Sequence, residues 1–287
     1  MSTGAGTFAL GGDLTVDRLG YGAMQVTGTG VWGPPRDHDE ALRVLRRTVE
    51  LGITFIDTAD AYGPHVSEEL IREALYPYPD GLVIGTKAGQ VRPAAWEWVP
   101  LGRPEYLRQQ VELSLRRLGL ERIDLFQLHR IDPSVPLEEQ LGVLGDLRSE
   151  GKLRHLGMSE VSLDELRRAR KIVPIVSVTN EYNLVHRSWE EVVDYAEAEG
   201  LAFIPWFPVA QGALARPGGP LDTIAAELAA TPAQVALAWL LRRSPAMIPI
   251  PGTASLAHLE ENVAAGRLEL SDEQFETLRE VGAEPRA

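Results

Sequence analysis

Four side chains suited to proton transfer follow three short apolar stretches of the chain. They are Asp57 and Tyr62 after residues 53–56, Lys87 after residues 82–86, and His129 after residues 123–128. An apolar, β-branched run that ends in polar residues is typical of a buried strand followed by a loop. If these strands are parallel neighbours in one barrel, the four side chains converge at its carboxyl-terminal face, where such barrels keep their active sites.

This set of residues could take part in the reduction of a carbonyl group, because it combines a proton donor with groups that adjust the pKa of that donor. A nearby ammonium stabilises a phenolate, whose parent phenol has a pKa of about 10, so we expect Lys87 to make Tyr62 release its proton more readily near neutral pH. Asp57 would keep Lys87 charged and in place. His129 would polarise the carbonyl oxygen through a second hydrogen bond. No Ser or Cys nucleophile is paired with a base in this set, so it favours hydride transfer over hydrolysis and requires a hydride source.

The composition narrows the classes of function. A formal net charge of −13 opposes binding to nucleic acid or to anionic membranes. The sequence has no cysteine, which excludes disulfides and thiolate chemistry. The scattered histidines show no metal-ligand spacing, so we expect no metal site. Neither a basic leader nor an apolar run of about 18 residues is present, which favours a cytoplasmic protein.

The elements that must position the four side chains alternate between strand and helix. Eight such units follow one another without a break in composition, which predicts an α/β fold, a (β/α)8 TIM barrel with extra C-terminal helices. At 287 residues, near the roughly 250 typical of such barrels, we expect a single domain over residues 1–287. An N-terminal β-hairpin at residues 7–17 would plug the barrel. The first and last barrel strands are expected at residues 18–24 and 247–250, and residues 88–103 are expected to form a long loop.

Several motifs, taken together and in order, resemble the aldo-keto reductases over essentially the whole chain. They are Phe-Ile-Asp-Thr-Ala-Asp-Ala-Tyr-Gly at residues 55–63, Gly-Thr-Lys at 85–87, Leu-His at 128–129, Gly-Met-Ser at 157–159, Asn-Glu-Tyr-Asn at 180–183 and Ile-Pro-Gly-Thr at 250–253. Residues 20–25, 33–37, 62–65 and 72–78 further resemble the bacterial branch of pyridoxal reductases and pyridoxine 4-dehydrogenases.

The resemblance implies NAD(P)H-dependent reduction of an aldehyde or ketone to the alcohol. Tyr62 would be the general acid, Lys87 and Asp57 would tune it, and His129 would orient the carbonyl group. The narrower resemblance suggests an aromatic or heteroaromatic substrate such as pyridoxal. The family most often acts as a monomer on small molecules.

The resemblance also places thirteen residues around an NADP(H) cofactor. They are Met24, Ser159, Thr179, Trp206, Phe207, Pro208, Gly212, Leu214, Arg216, Gly252, Thr253, His258 and Asn262. Ser159 would bind the nicotinamide amide and Trp206 would stack on its ring, whereas Glu160 and Thr179 replace the usual Asn and Gln. Gly252 and His258 stand where many members have Lys and Arg, which leaves NAD(H) open as an alternative cofactor.

A glycine-rich segment and three tryptophans have two interpretations each. Residues 28–33 match G-x-G-x-x-G, but Pro34 and Pro35 follow and no helix does, so we interpret the segment as a mobile loop over the substrate pocket rather than a dinucleotide site. Trp32, Trp96 and Trp98 either contact substrate or pack at the surface.

Two other functions stay open. Some relatives of this fold bind the cofactor as regulatory subunits with little turnover, and turnover without a partner protein would separate the two. A metal-dependent barrel hydrolase is disfavoured, because no His and carboxylate ligands cluster at the strand ends.

Overall fold

The computed structural model describes residues 2–209 and 220–281. Within them the strands are β1 Thr7–Leu10, β2 Leu14–Asp17, β3 Tyr21–Gly22, β4 Phe55–Asp57, β5 Val83–Ala88, β6 Gln90–Val91, β7 Val99–Pro100, β8 Ile123–Leu128, β9 Leu153–Ser159, β10 Ile175–Thr179 and β11 Ala202–Phe203. Seven of them form one parallel sheet in the order β11-β10-β9-β8-β5-β4-β3. Because the seven strands stand in the sheet in the order of the chain and all run parallel, their carboxyl ends lie at one edge.

The sheet closes into a barrel through residues 247–250, which lie between β11 and the chain before β3. Ile248 N–H donates to Phe203 O at 2.8 Å on one side, and Gly20 N–H donates to Pro249 O at 3.0 Å on the other. This segment, predicted as the eighth strand, forms only an isolated bridge in place of a full ladder, since Pro249 and Pro251 have no N–H to donate. The expected (β/α)8 architecture is confirmed.

The antiparallel pair β1–β2 confirms the hairpin that was predicted at residues 7–17. Its side chains Leu10 and Val16 are fully buried. They pack in one apolar cluster with Phe55, Leu125 and Ile248 from the barrel strands. The hairpin therefore covers the end of the barrel opposite the strand carboxyl ends.

Ten α-helices surround the sheet within the described residues. They are α1 His38–Glu50, α2 Val66–Leu75, α3 Pro104–Leu118, α4 Leu137–Ser149, α5 Leu163–Ile172, α6 Glu190–Ala198, α7 Pro220–Glu227, α8 Pro232–Arg243, α9 Leu256–Ala264 and α10 Asp272–Val281. Local signals set their starts: Asp37 caps α1, and Thr231 caps α8 with Pro232 at its first position. In the described part of the chain, no single helix is both long enough and apolar enough to cross a membrane. The helices α7 and α8, which are bent against each other, reach that length and composition only when they are counted together.

Two predicted segments differ in detail from the structure. The first barrel strand was expected over residues 18–24, but β3 covers only Tyr21–Gly22 and a 3-10 helix, Ala23–Val26, follows it. A Cβ atom on Gly22 would lie 2.7 Å from Ile250 O. The chain therefore passes too close to residues 247–250 for position 22 to carry a side chain. The expected loop at residues 88–103 contains the short antiparallel pair β6–β7.

Candidate active site

A buried ion pair lies at the carboxyl ends of β4 and β5. Lys87 Nζ pairs with Asp57 Oδ1 and donates to Thr58 O at 2.9 Å, and both charged side chains are about 2% exposed. Burial opposes the charge on Lys87, but the Asp57 carboxylate outweighs this and raises the pKa of Lys87. The ammonium is therefore retained deep in the barrel.

Tyr62 lies beside this pair, on the turn that follows β4. Lys87 Nζ is 5.3 Å from the centroid of its ring. Burial raises the pKa of the Tyr62 phenol and outweighs the opposite effect of the Lys87 ammonium. The expected effect of Lys87 on Tyr62 is therefore present, but burial outweighs it in the net direction of the Tyr62 pKa. Tyr62 stays protonated in the protein alone, which is the form that a proton donor needs.

His129 follows β8 directly and faces Tyr62. The two rings meet edge to face with centroids 5.9 Å apart. Burial and the nearby charges of Lys87 and Arg130 hold the pKa of His129 well below its ordinary value, so the imidazole is neutral. Its Nδ1 atom is buried without a hydrogen-bond partner. A neutral imidazole carries one N–H, so it can donate one hydrogen bond to a ligand beside Tyr62.

One of the three candidate substrate tryptophans reaches these residues. The Trp98 ring lies 6.3 Å from Tyr62 and from His129, centroid to centroid. Trp32 is 38% exposed and lies on the other side of Arg92 from Trp98. Trp96 is 72% exposed and packs over Gly30 instead. The structure therefore brings Trp98 to Tyr62 and His129 and leaves Trp96 outside.

Arg92 was not singled out in the sequence, yet it organises this wall. Its guanidinium stacks 3.5 Å from the Trp98 ring centroid and donates to the carbonyls of Gly30 at 2.8 Å and Val31 at 2.8 Å. It also donates to the carbonyl of Ala61, next to Tyr62, at 3.2 Å. These hydrogen bonds link the segment 28–33 to the turn before Tyr62. The expected mobility of the segment stays a prediction.

Ser159 and Thr179 end the neighbouring strands β9 and β10 and are partners in register. Ser159 Oγ accepts from Arg130 at 3.1 Å, which leaves its own O–H free to donate. Thr179 Oγ1 lies 2.5 Å from Gln127 Oε1, and an amide oxygen only accepts, so Thr179 must donate there and can only accept from a ligand. One donor beside one acceptor matches the two polar ends of a primary amide.

The chain as a whole was compared with known proteins. Residues 18–283 match the model of the Aldo/keto reductase family. The chain belongs to this family. An uncharacterized oxidoreductase of Schizosaccharomyces pombe is 52% identical over 278 residues, which are 97% of this chain and 90% of that protein. Pyridoxine 4-dehydrogenase of Escherichia coli is 46% identical over 284 residues, 97% of this chain and 99% of that protein.

A solved relative agrees with this assignment. The crystal structure of an aldo/keto reductase from Klebsiella pneumoniae, in complex with NADP and acetate, superimposes with a TM-score of 0.81 and 26% identity. The match covers 98% of this chain and 96% of that one.

This aldo-keto reductase holds Trp206 in a way that the sequence did not reveal. The indole Nε1 donates to Glu160 Oε1 at 2.6 Å, and the same oxygen accepts from Glu181 N–H at 2.6 Å. Glu160 itself has a left-handed φ of 53°, which is uncommon for a residue with a side chain. Glu160 therefore fixes the ring that was expected to stack on the nicotinamide. Phe207 packs against that ring at 4.5 Å between centroids.

The remaining cofactor candidates of this aldo-keto reductase spread along the same edge of the barrel. Met24 is half-buried in the 3-10 helix and Pro208 is buried. Before and within α9, Gly252 and His258 are exposed, whereas Thr253 and Asn262 are buried. Gly212, Leu214 and Arg216 lie outside the described residues. Among the described residues no three His, Asp or Glu side chains come close enough to hold a metal ion.

Proposed function

We propose that this protein is an NADP(H)-dependent reductase of small aromatic or heteroaromatic aldehydes, with Tyr62 as the proton donor. The observation that carries the proposal is the buried Asp57–Lys87 pair beside protonated Tyr62 and neutral His129. Two relatives support it, because one is a pyridoxine 4-dehydrogenase and the other was crystallised with NADP. The expected single domain, monomeric state and cytoplasmic location remain predictions.

Proton delivery follows from the positions of the chain's own groups. When bound, the nicotinamide cofactor supplies the hydride for the carbonyl carbon. Tyr62 donates its proton to the carbonyl oxygen as negative charge develops there, and Lys87 stabilises the phenolate that remains. Asp57 keeps Lys87 protonated. His129 donates its single N–H to the same oxygen, and because it is neutral it can do so without becoming a competing acid.

The donor set of the chain fits the cofactor. Ser159 offers a hydroxyl proton and Thr179 offers only lone pairs, the pair of partners that a nicotinamide amide requires. Trp206, held by Glu160, offers an aromatic face. Helix N-termini attract phosphate, and α9 presents His258 in its first turn. The other residues assigned to this site are Met24, Phe207, Pro208, Gly252, Thr253 and Asn262.

Cofactor preference depends on the adenosine end of this site. Exposed His258 and Gly252 carry less positive charge than Arg and Lys would, and a 2′-phosphate bears close to two negative charges. We therefore propose a preference for NADPH that is only modest. Equal kcat/KM values for NADPH and NADH would contradict it.

The substrate class is proposed from the aromatic wall. Trp98 stands edge to face with both Tyr62 and His129, and Trp32 extends the wall outward across Arg92. Such walls favour a flat aromatic ring next to the reacting carbonyl group. Pyridoxal, an aldehyde on a pyridine ring, has this shape.

The test is oxidation of NADPH by the purified protein against pyridoxal, benzaldehyde and propanal. We expect turnover with both aromatic aldehydes and a lower kcat/KM for propanal. Tyr62→Phe should lower kcat by about 10²- to 10⁴-fold, whereas its affinity for NADPH should stay unchanged because the substitution removes only one hydroxyl. Binding of NADPH without turnover of any aldehyde would instead support a regulatory subunit.

A further inference from the structure

A row of hydrogen bonds reaches the Asp57–Lys87 ion pair through the Asp57 oxygen that does not face Lys87. Thr179 Oγ1 donates to Gln127 Oε1 at 2.5 Å, and Gln127 Nε2 donates to Asp57 Oδ2 at 3.0 Å. Asp57 in turn pairs with Lys87 through its other oxygen. All four side chains are at most 2% exposed. The row therefore runs from the end of β10 to the ammonium beside Tyr62 without contact with bulk water.

The chemistry of the groups fixes the direction of every hydrogen bond in this row. The Asp57 carboxylate only accepts, so Gln127 must turn its NH₂ group toward it. The amide oxygen of Gln127 then faces Thr179, which must donate its proton. If Thr179 loses its hydroxyl, nothing sets the orientation of the Gln127 amide from that side.

The neighbouring strand leaves room for this row. Gln127 on β8 is in register with Gly157 on β9, and Gly157 is in register with Ser177 on β10. A Cβ atom on Gly157 would lie 3.0 Å from Gln127 Cγ and would overlap Ser177 Oγ. Glycine at this position thus lets the Gln127 side chain cross β9 and reach Thr179.

We propose that Gln127 and Thr179 are positioning residues for proton transfer, which rests on the proposed role of Tyr62. Gln127 holds one oxygen of Asp57, so the carboxylate presents only the other oxygen to Lys87. Without Gln127 the free oxygen would compete for the ammonium and draw it toward Asp57. Lys87 would then stabilise the Tyr62 phenolate less, and proton donation would slow.

The test compares Gln127→Met and Thr179→Val with the double variant and with Ser177→Ala. Ser177 offers a matched control, because its hydroxyl is buried on the same strand as Thr179 but has no hydrogen-bond partner. Gln127→Met should lower kcat by about ten- to a hundredfold and Thr179→Val by about fivefold. Ser177→Ala should leave kcat unchanged. Thr179→Ser keeps the hydroxyl and should restore most of the activity that Thr179→Val loses.

Coupling is the decisive readout. Thr179 is also assigned a contact to the nicotinamide amide, so coupling is read from the Tyr62 pKa of the protein without cofactor. If Thr179 acts through Gln127, the double variant should have the same Tyr62 pKa as Gln127→Met alone, since a residue that works through another adds nothing once that other is gone. Tyr62 pKa shifts of the two single variants that add in the double variant would overturn the proposal. So would an equal loss of kcat in Ser177→Ala.

A measurement on the protein without cofactor separates this proposal from the proposed function. The ultraviolet titration of Tyr62, taken as the difference between each protein and its Tyr62→Phe form, reports the phenol directly. We expect the Tyr62 pKa to rise in Gln127→Met and in Thr179→Val and to stay constant in Ser177→Ala. Absence of aldehyde turnover in the unmodified protein would refute the reductase function, whereas an unchanged Tyr62 pKa in both variants would refute the positioning role.

Discussion

Replacing Asp57 by Asn should destabilise the protein strongly, although the two side chains have almost the same size. The substitution keeps the shape of the side chain and removes the charge that faces Lys87. The ammonium would then be buried with only uncharged partners, the carbonyl of Thr58 and the Tyr62 hydroxyl among them. Breaking a buried ion pair in this way costs about 3–5 kcal/mol. For a protein of this length the loss corresponds to a decrease in Tm on the order of 10 °C.

A double variant tests the reasoning behind that magnitude. Lys87→Met should cost about as much as Asp57→Asn, because it leaves the carboxylate with Gln127 alone. When both are changed, no uncompensated charge stays buried, so the double variant should be within about 2 kcal/mol of the unmodified protein. The free energy of unfolding of all three variants is measured by urea titration, with tryptophan fluorescence as the signal. Costs that simply add would show that the pair is not energetically coupled and would refute the account.

An exposed ion pair supplies the control, and pH supplies a second check. Glu276→Gln removes a partner of Arg279, and since both side chains are more than half exposed the loss should stay below about 1 kcal/mol. In Asp57→Asn the buried Lys87 should have a pKa below its unfolded value. The unfolded state then binds more protons, so the stability of this variant should increase as pH rises toward the ordinary Lys pKa of about 10.4.

Three further predictions concern catalysis and cofactor binding. Because burial raises the pKa of Tyr62 and lowers that of His129, kcat for reduction should stay level across neutral pH and fall only as pH rises through the raised Tyr62 pKa. A transition in kcat near the ordinary His pKa of about 6.5 would contradict this. Glu160→Ala removes the acceptor of Trp206 Nε1, so we expect Kd for NADPH to increase by about tenfold; an unchanged Kd in fluorescence titration would show that the indole needs no such support. His258→Arg should raise the kcat/KM ratio of NADPH to NADH by at least about fivefold, and equal gains for both cofactors would argue against a contact with the 2′-phosphate.

The fold was predictable because its signals are local. Apolar β-branched runs ending in polar residues identified β4, β5 and β8, and the helix starts at α1 and α8 are set by the neighbouring caps Asp37 and Thr231. The exceptions depend on distant contacts. The 3-10 helix after Gly22 arises where the chain meets Ile250, more than two hundred positions away in the sequence.

The grouping of Asp57, Tyr62, Lys87 and His129 was also predictable, because each ends or follows a strand and the strands are adjacent. The pKa of Tyr62 was not, since its direction depends on the balance between burial and one ammonium. Gln127 escaped notice because it stands inside a strand, where a polar residue is normally interpreted as part of the ladder. Its role appears only when Gly157 and Thr179 are placed on the two strands beyond it.

Arg92 has a consequence for the redesign of substrate range. Its guanidinium joins the outer loop at Gly30 and Val31, the Trp98 wall and the carbonyl that precedes Tyr62. A library that varies this arginine would therefore disturb the Tyr62 segment together with the wall, so we expect gains in specificity to be offset by losses in rate. Diversity placed at Trp32, which lies outward of Trp98 across Arg92, changes the outer surface of the pocket and leaves the ring contacts of Tyr62 in place.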